Sequence, residues 1–185
     1  GLFELDEIAR RSQALGLQGR VAVSHAYALG ELPWATVQPT AERLAAAGVA
    51  IMTNAPGDHP FPPVLALRAA GVTVFAGSDD VRDAWWPYGD ADMLERAMLI
   101  GYRSGFYTDA ELEVAFELVT ASAARALGVA DYGLRVGAAA DFVVVDARHA
   151  PEAVVARPPR KAVYKKSLLV ARDGVFLREP EGGKT

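Results

Sequence analysis

The chain has 185 residues, 51% of them hydrophobic and 23% charged, with a net charge of −4 and no cysteine. A mildly acidic chain does not hold nucleic acid or an anionic membrane through bulk charge. No apolar run reaches the ~18 residues of a membrane span, and without cysteine there is no disulfide, thiolate ligand or thiol nucleophile. The expectation is a cytoplasmic globular protein that binds neither nucleic acid nor membrane.

The first residue is Gly1, no signal-like segment follows, and residues 2–9 already pattern as an amphipathic helix. A missing upstream segment is therefore expected. A helix over 3–15 is closed by Gly16 and Gly19 and leads into the apolar strand 21–25. Thr40 is the expected N-cap of a helix over 43–47, stopped by Gly48. The strand 49–52 follows and passes into Thr53 and Asn54. Residues 64–70 read as a helix stopped by Gly71, then 72–76 as a buried strand ending at Gly77-Ser78-Asp79-Asp80. Continuous apolar runs mark strands covered on both faces, and helix–strand alternation with short links predicts a parallel α/β sheet.

Residues 85–89 read as a loop and 93–102 as a packed helix. Thr108 and Glu111 form a capping-box pattern at the start of a helix over 109–118. Thr120 is expected to cap a helix over 121–127, stopped by Gly128. Short strands are expected at 142–145, 153–155, 162–164 and 168–171. Asp173-Gly174 is a hairpin turn leading into 175–177, and 179–185 reads as a disordered tail.

In each helix–strand unit the polar residues lie just past the strand's C-terminal end: His25, then 54–59, then 79–83. That edge carries the chemistry of α/β barrels, which need eight strands to close. The expected fold is the C-terminal portion of a TIM (β/α)8 barrel, about its last three strands, over residues 1–130. Strands of a small β-sandwich follow over 131–178, with the tail at 179–185.

Position alone leaves the site residues open. Asp79 is either a carboxylate at a barrel mouth, able to bind a divalent ion and take a proton from its water, or an Asp capping the next loop. His25 is either functional or a packing residue at a strand terminus. Trp85 is either a pocket wall or a core aromatic. His59 reads as an exposed loop histidine, His149 as a surface residue, and Asn54 as a group that closes its strand end by hydrogen bonding.

The segment Gly77-Ser78-Asp79-Asp80-Val81-Arg82-Asp83-Ala84-Trp85-Trp86-Pro87-Tyr88-Gly89 resembles the last-strand segment of bacterial cytosine deaminases. The family pattern is glycine, one residue, Asp-Asp-Val, one residue, Asp-Pro-Trp-Tyr-Pro, one residue, glycine. Ala84 stands in place of the proline, Trp86 of the tyrosine, and Ser78 where histidine is common. The resemblance implies that Asp79 binds metal and shuttles a proton, that Asp80 borders the substrate and that Trp85 walls its pocket. Ser24-His25 is similar to the Ser-His that ends the family's sixth strand, which implies that His25 faces the attacking water and the substrate. Asn54 matches the asparagine of the family's Asn-Pro-Leu segment and is grouped with the substrate-binding residues.

Residues 119–128, Gly133, Gly137 and 140–146 are similar to the closing segment of the wider amidohydrolase superfamily, with 142–145 as a buried strand bounded by aspartates. The superfamily's His-x-His pair, its fifth-strand histidine and the deaminases' glutamate have no counterpart here. The histidines of the chain are 25, 59 and 149.

The resemblance thus implies a metal-dependent hydrolytic deaminase of a small nitrogen heterocycle. Its divalent ion, iron or zinc, has its main ligands outside this chain, so the chain by itself is expected to be inactive. Two alternatives stay open: a non-catalytic fragment or subunit that completes a barrel with another chain, and a cyclic-amide hydrolase of the same superfamily. The open strand edge predicts pairing with a missing N-terminal half, a second chain or another copy, so a homo-oligomer is expected.

Overall fold

The structure is a computed structural model and describes residues 1–57 and 59–177. The expected tail at 179–185 lies outside the described residues. Among those described, no helix is long and apolar enough to cross a membrane.

The first part alternates helix and strand: α1 (Leu2–Ala14), β1 (Val21–Ser24), α2 (Ala28–Glu31), α3 (Trp34–Ala46), β2 (Val49–Thr53), α4 (Val64–Ala69) and β3 (Val74–Ala76). The three strands form one parallel sheet in the order β1-β2-β3, with Val21 beside Val49 and Ile51 beside Val74. β3 is wholly buried and β2 nearly so, as continuous apolar runs predict. β1 departs from that expectation. Its residues alternate between half-buried and exposed, with Val21 and Val23 packed against the core and Ala22 and Ser24 open to solvent.

α1 and α3 cover one face of the sheet. Leu5, Ala9 and Ser12 form the buried stripe of α1, and Val37, Ala41 and Leu44 that of α3. Arg43 ties the two helices by donating from Nε and Nη2 to the two carboxylate oxygens of Asp6, each at 2.8 Å. The expected cap at Thr40 is corrected: α3 starts six residues earlier, after Pro33, with Pro39 in its interior. Thr40 is 1% exposed and accepts from Arg43. The apolar stripe beginning at Val37 outweighs the local break that Pro39-Thr40 suggests. The four-residue α2 was not foreseen.

After β3 a loop leads to α5 (Met93–Ser104), capped by Asp92, whose Oδ1 accepts from the amides of Leu94 and Glu95, and closed by Gly105 at φ 68°. α6 (Asp109–Leu118) carries the expected Thr108–Glu111 capping box. Thr120 stands at the N-cap of α7 (Ala121–Ala126) as expected, but its side chain makes no capping bond; its hydroxyl donates back to the Phe116 carbonyl at 2.7 Å.

β4 (Phe142–Val145), β5 (Arg160–Lys165), β6 (Leu168–Arg172) and β7 (Val175–Phe176) make an antiparallel sheet in that order, with Asp173 and Gly174 forming the tight turn at φ 50° and 79°. β4 is half-exposed rather than buried, with Val143 and Val144 open to solvent. The strand expected at 153–155 is instead part of α8 (Ala150–Ala156). His149 caps that helix by accepting from the Glu152 amide, and Pro151 lies in its first turn. Three apolar residues in a row fit either period, and the cap decides. Ala153 and Val154 join the core that also holds Leu44, Ile51, Leu67, Val74, Ile100 and Leu118. The architecture is mixed α/β.

Candidate functional site

Parallel strands deliver their C-terminal ends to one edge. The sheet continues one residue past its strands there: the His25 amide donates to the Met52 carbonyl at 2.9 Å, and the Gly77 amide to the Thr53 carbonyl at 3.3 Å. Beyond that point each chain turns sharply. His25 (φ 66°), Ala26 (φ 48°), Ala55 (φ 49°) and Asp79 (φ 58°) all lie in the left-handed region. For an ordinary residue this costs ~1–2 kcal/mol, less for an Asp, and persists only where surrounding contacts fix it.

The turns bring three side chains together, one from each strand end. Asn54 Nδ2 donates to Asp79 Oδ2 at 2.8 Å. His25 Nε2 stands 3.6 Å from the same oxygen. Both the imidazole and the carboxylate are partly open to solvent. The Asn54 side-chain oxygen is buried without a hydrogen-bond partner among the described residues. On its other side His25 meets Tyr27: the rings stack at 5.2 Å, and the hydroxyl lies 3.3 Å from Nδ1. The His59 ring lies 5.4 Å from that of Tyr27, so His59 belongs to this mouth.

A layer of arginines from α5 holds the loops. Arg96 Nη1 donates to the Asn54 carbonyl at 2.6 Å and Nη2 to the Ser78 carbonyl at 3.0 Å. Burial pushes the Arg96 guanidinium below its ordinary range, while the negative charges of Glu95 and Asp79 push it back up. Arg103, two turns further on, donates to the carbonyls of Pro56 and His59 and lies over the Phe61 ring.

Asp80 faces a different partner. Its carboxyl is held above the usual range, first by a hydrogen bond with Asp83, then by burial and the charges of Asp83 and Asp79. Asp83 is held low because its carboxylate accepts from the amides of Trp86 and Trp85. The hydrogen bond between the two carboxyls therefore pushes them in opposite directions, Asp80 up and Asp83 down. Trp85 is 85% exposed, so the core reading fails. Trp86 is the half-buried tryptophan, edge-on to Tyr88 and close over Gly57. His149 lies on the surface as α8's cap.

Sequence reasoning thus picked the three converging residues and missed Tyr27, Arg96 and Arg103. The seven-residue spacing of the two arginines, which puts both on one face of α5, was the available signal.

Among the described residues no group of three or more His, Asp or Glu side chains is placed to hold a metal ion. The donors that do converge, an Asp79 oxygen and a His25 nitrogen, are of the types that suit iron or zinc. A catalytic ion usually takes three protein ligands, so this set fits as part of a site.

A sequence profile of the amidohydrolase family matches residues 3–178. The crystal structure of N-isopropylammelide isopropylaminohydrolase from Burkholderia multivorans superposes with a TM-score of 0.93 at 52% identity, over 96% of this chain and 45% of that one. The N-isopropylammelide isopropyl amidohydrolase of Pseudomonas sp. (strain ADP) is 28% identical over 178 residues, 96% of this chain and 44% of that protein. The 5-methylcytosine deaminase of Klebsiella pneumoniae shares the fold, with a TM-score of 0.83 at 23% identity over 96% of this chain and 47% of that one. The chain spans less than half the length of these relatives.

Proposed function

This chain belongs to the amidohydrolase family, and from that premise we propose that it supplies the C-terminal part of a metal-dependent C–N hydrolase. The parallel sheet with α1 to α7 is read as the last three strands of a (β/α)8 barrel, over 1–130. The antiparallel sheet is read as β-sandwich strands, over 131–178, with α8 reaching back onto α5 and α6. The open edge of β1 is where an upstream segment, a second chain or another copy pairs.

The reaction is hydrolysis of an exocyclic C–N bond on a small nitrogen heterocycle, releasing ammonia or an alkylamine. The similarity to an isopropylaminohydrolase supports the alkylamine, and the cytosine deaminase-like loop at 77–89 supports the ring. Asp79 would hold the divalent ion together with ligands outside this chain. When bound, such an ion supplies Lewis acidity and lowers the pKa of its water toward ~7. Asp79 accepts the proton that water loses as its oxygen bonds to the ring carbon, and returns it to the nitrogen as the C–N bond breaks. His25, beside the same carboxylate oxygen, orients the attacking water and stabilises charge on the attacked centre. Asn54 fixes the rotamer of Asp79. Asp80 borders the substrate, and Trp85 and Trp86 lie on the loop that would close over the ring.

The observation that carries this reading is the convergence of His25 and Asn54 on one oxygen of Asp79. Its test is the complete protein assayed for amine release from N-isopropylammelide, cytosine, isocytosine and creatinine, with iron and zinc content measured alongside. The expectation is turnover of at least one substrate, lost in Asp79→Ala. Metal-loaded protein inert to all four, or an active Asp79→Ala variant, would overturn it. Among the described residues no metal-holding group is complete, which favours one second reading: a non-catalytic subunit. That reading predicts neither metal nor turnover in the isolated chain.

A further inference from the structure

We propose that Arg96 is a positioning residue of this site, holding the two peptide planes that aim the Asn54 amide and the Asp79 carboxylate at one another. The inference rests on the reading of Asp79 given above for its catalytic consequence, though not for its structural content.

A carbonyl oxygen shares its peptide plane with the nitrogen of the next residue, so fixing that oxygen constrains the next residue's φ. The two oxygens that Arg96 serves belong to Asn54 and Ser78. The residues that follow them are Ala55 and Asp79, and both lie in the left-handed region at φ 49° and 58°. One guanidinium therefore grips the planes entering both strained turns. The planar fork of arginine can serve two acceptors at once, as a lone ammonium on a flexible stem cannot with the same geometry. Left-handed backbone at a non-glycine residue relaxes unless it is over-determined. Two other bonds lie at these turns: the Ala55 amide donates locally to Thr53 Oγ1, and the Gly77 amide donates across the sheet to the Thr53 carbonyl, just ahead of both turns. Among the bonds described here, Arg96 is the side chain that binds a backbone carbonyl in each of the two turns.

The consequence reaches the side chains. Asn54 and Asp79 meet at 2.8 Å, and a rotation of either peptide plane would swing one group off the other. Arg96 touches neither the Asp79 carboxylate nor the Asn54 amide in any hydrogen bond described. It acts through main chain, and so sets where the acid stands.

The test compares the complete protein with Arg96→Met and Arg96→Lys by amide hydrogen exchange and steady-state kinetics. Arg96→Met is expected to speed exchange in segments 53–57 and 77–82 by about tenfold or more, leaving α3 and α8 unchanged. Arg96→Lys keeps charge and stem, folds in the event that the methionine variant does not, and loosens one of the two segments. In both variants kcat falls, by ~10–100-fold in Arg96→Met, with KM within about threefold. Unchanged exchange in both segments, or acceleration spread evenly over the whole chain, overturns the proposal. Localised acceleration in a protein whose parent shows no turnover supports the positioning role and sinks the functional reading.

Discussion

Asn54→Ala separates the chemistry of this site from its stability. The amide donates to an ionised acceptor at 2.8 Å, a class of bond that contributes ~1.5–3 kcal/mol. The same side chain buries an oxygen without a partner, and such a group costs ~1–3 kcal/mol. Truncation removes both, so the net destabilisation should lie between about −1.5 and +2 kcal/mol. Catalysis has no such offset. On the proposed reading Asp79 loses the donor that fixes its rotamer, and loss of an outer partner of a metal-binding carboxylate typically costs ~10–100-fold, or ~1.4–2.7 kcal/mol of transition-state stabilisation. Urea unfolding gives the first quantity, provided the slope is unchanged. Steady-state kinetics on the heterocycle turned over, with metal affinity from chelator competition, give the second. Destabilisation beyond ~3 kcal/mol with unaltered kinetics would make Asn54 a strand-end staple and refute the reasoning.

Asp79→Asn keeps shape but gives up charge and basicity; turnover should fall by at least ~10²-fold with the melting temperature little changed, as thermal scans and initial rates will show. Gly30→Ala should destabilise by ~1–3 kcal/mol: its Cβ would stand 2.3 Å from the Phe61 carbonyl oxygen and 2.8 Å from the Phe61 nitrogen, main-chain atoms that cannot swing aside. An unshifted melting temperature would contradict that. The Arg43 guanidinium holds the Asp6 carboxyl below its ordinary range, chiefly by hydrogen bonding. A depressed carboxyl contributes stability that is present above the ordinary range, near pH 4, and is lost as pH falls through the folded value. Arg43→Ala should therefore cost no more than ~1 kcal/mol at pH 7 in this partly exposed pair, and less once Asp6 is protonated in both states and only the bond to Thr40 remains. Unfolding at pH 7 and pH 2 measures the difference, and equal losses at both would count against it.

The strands of the parallel sheet were legible because their physics is local. An unbroken apolar run ended by a polar residue, behind a helix stopped by glycine, reads the same in a sequence as in the folded chain. That placed His25, Asn54 and Asp79 at strand ends, and a parallel sheet delivers such ends to one edge. Where two local signals competed, the sequence misled. Pro39-Thr40 looks like a helix start, yet the stripe Val37, Ala41, Leu44 carries α3 straight through it. Residues 153–155 look like a strand until the His149 cap is counted. The exposed faces of β1 and β4 escaped notice because an apolar run reports what a strand is built to touch, and cannot report how much of it the described residues cover.

Arg96 was illegible for a different reason. Its partners lie 42 and 18 positions away, and they are carbonyl oxygens, which every residue has. A capping pattern announces a bond to nearby main chain, but for a bond this distant in sequence only the spacing of Arg96 and Arg103 gave a hint. Ala55 hides equally well. A residue needed at φ 49° is usually glycine, and a glycine there would have marked the turn. Alanine in that position shifts the burden from the turn itself to whatever holds it. The cost of a left-handed alanine and the presence of a half-buried arginine in an otherwise packed helix are therefore one fact seen twice. The two together fix the spot where a carboxylate must stand still.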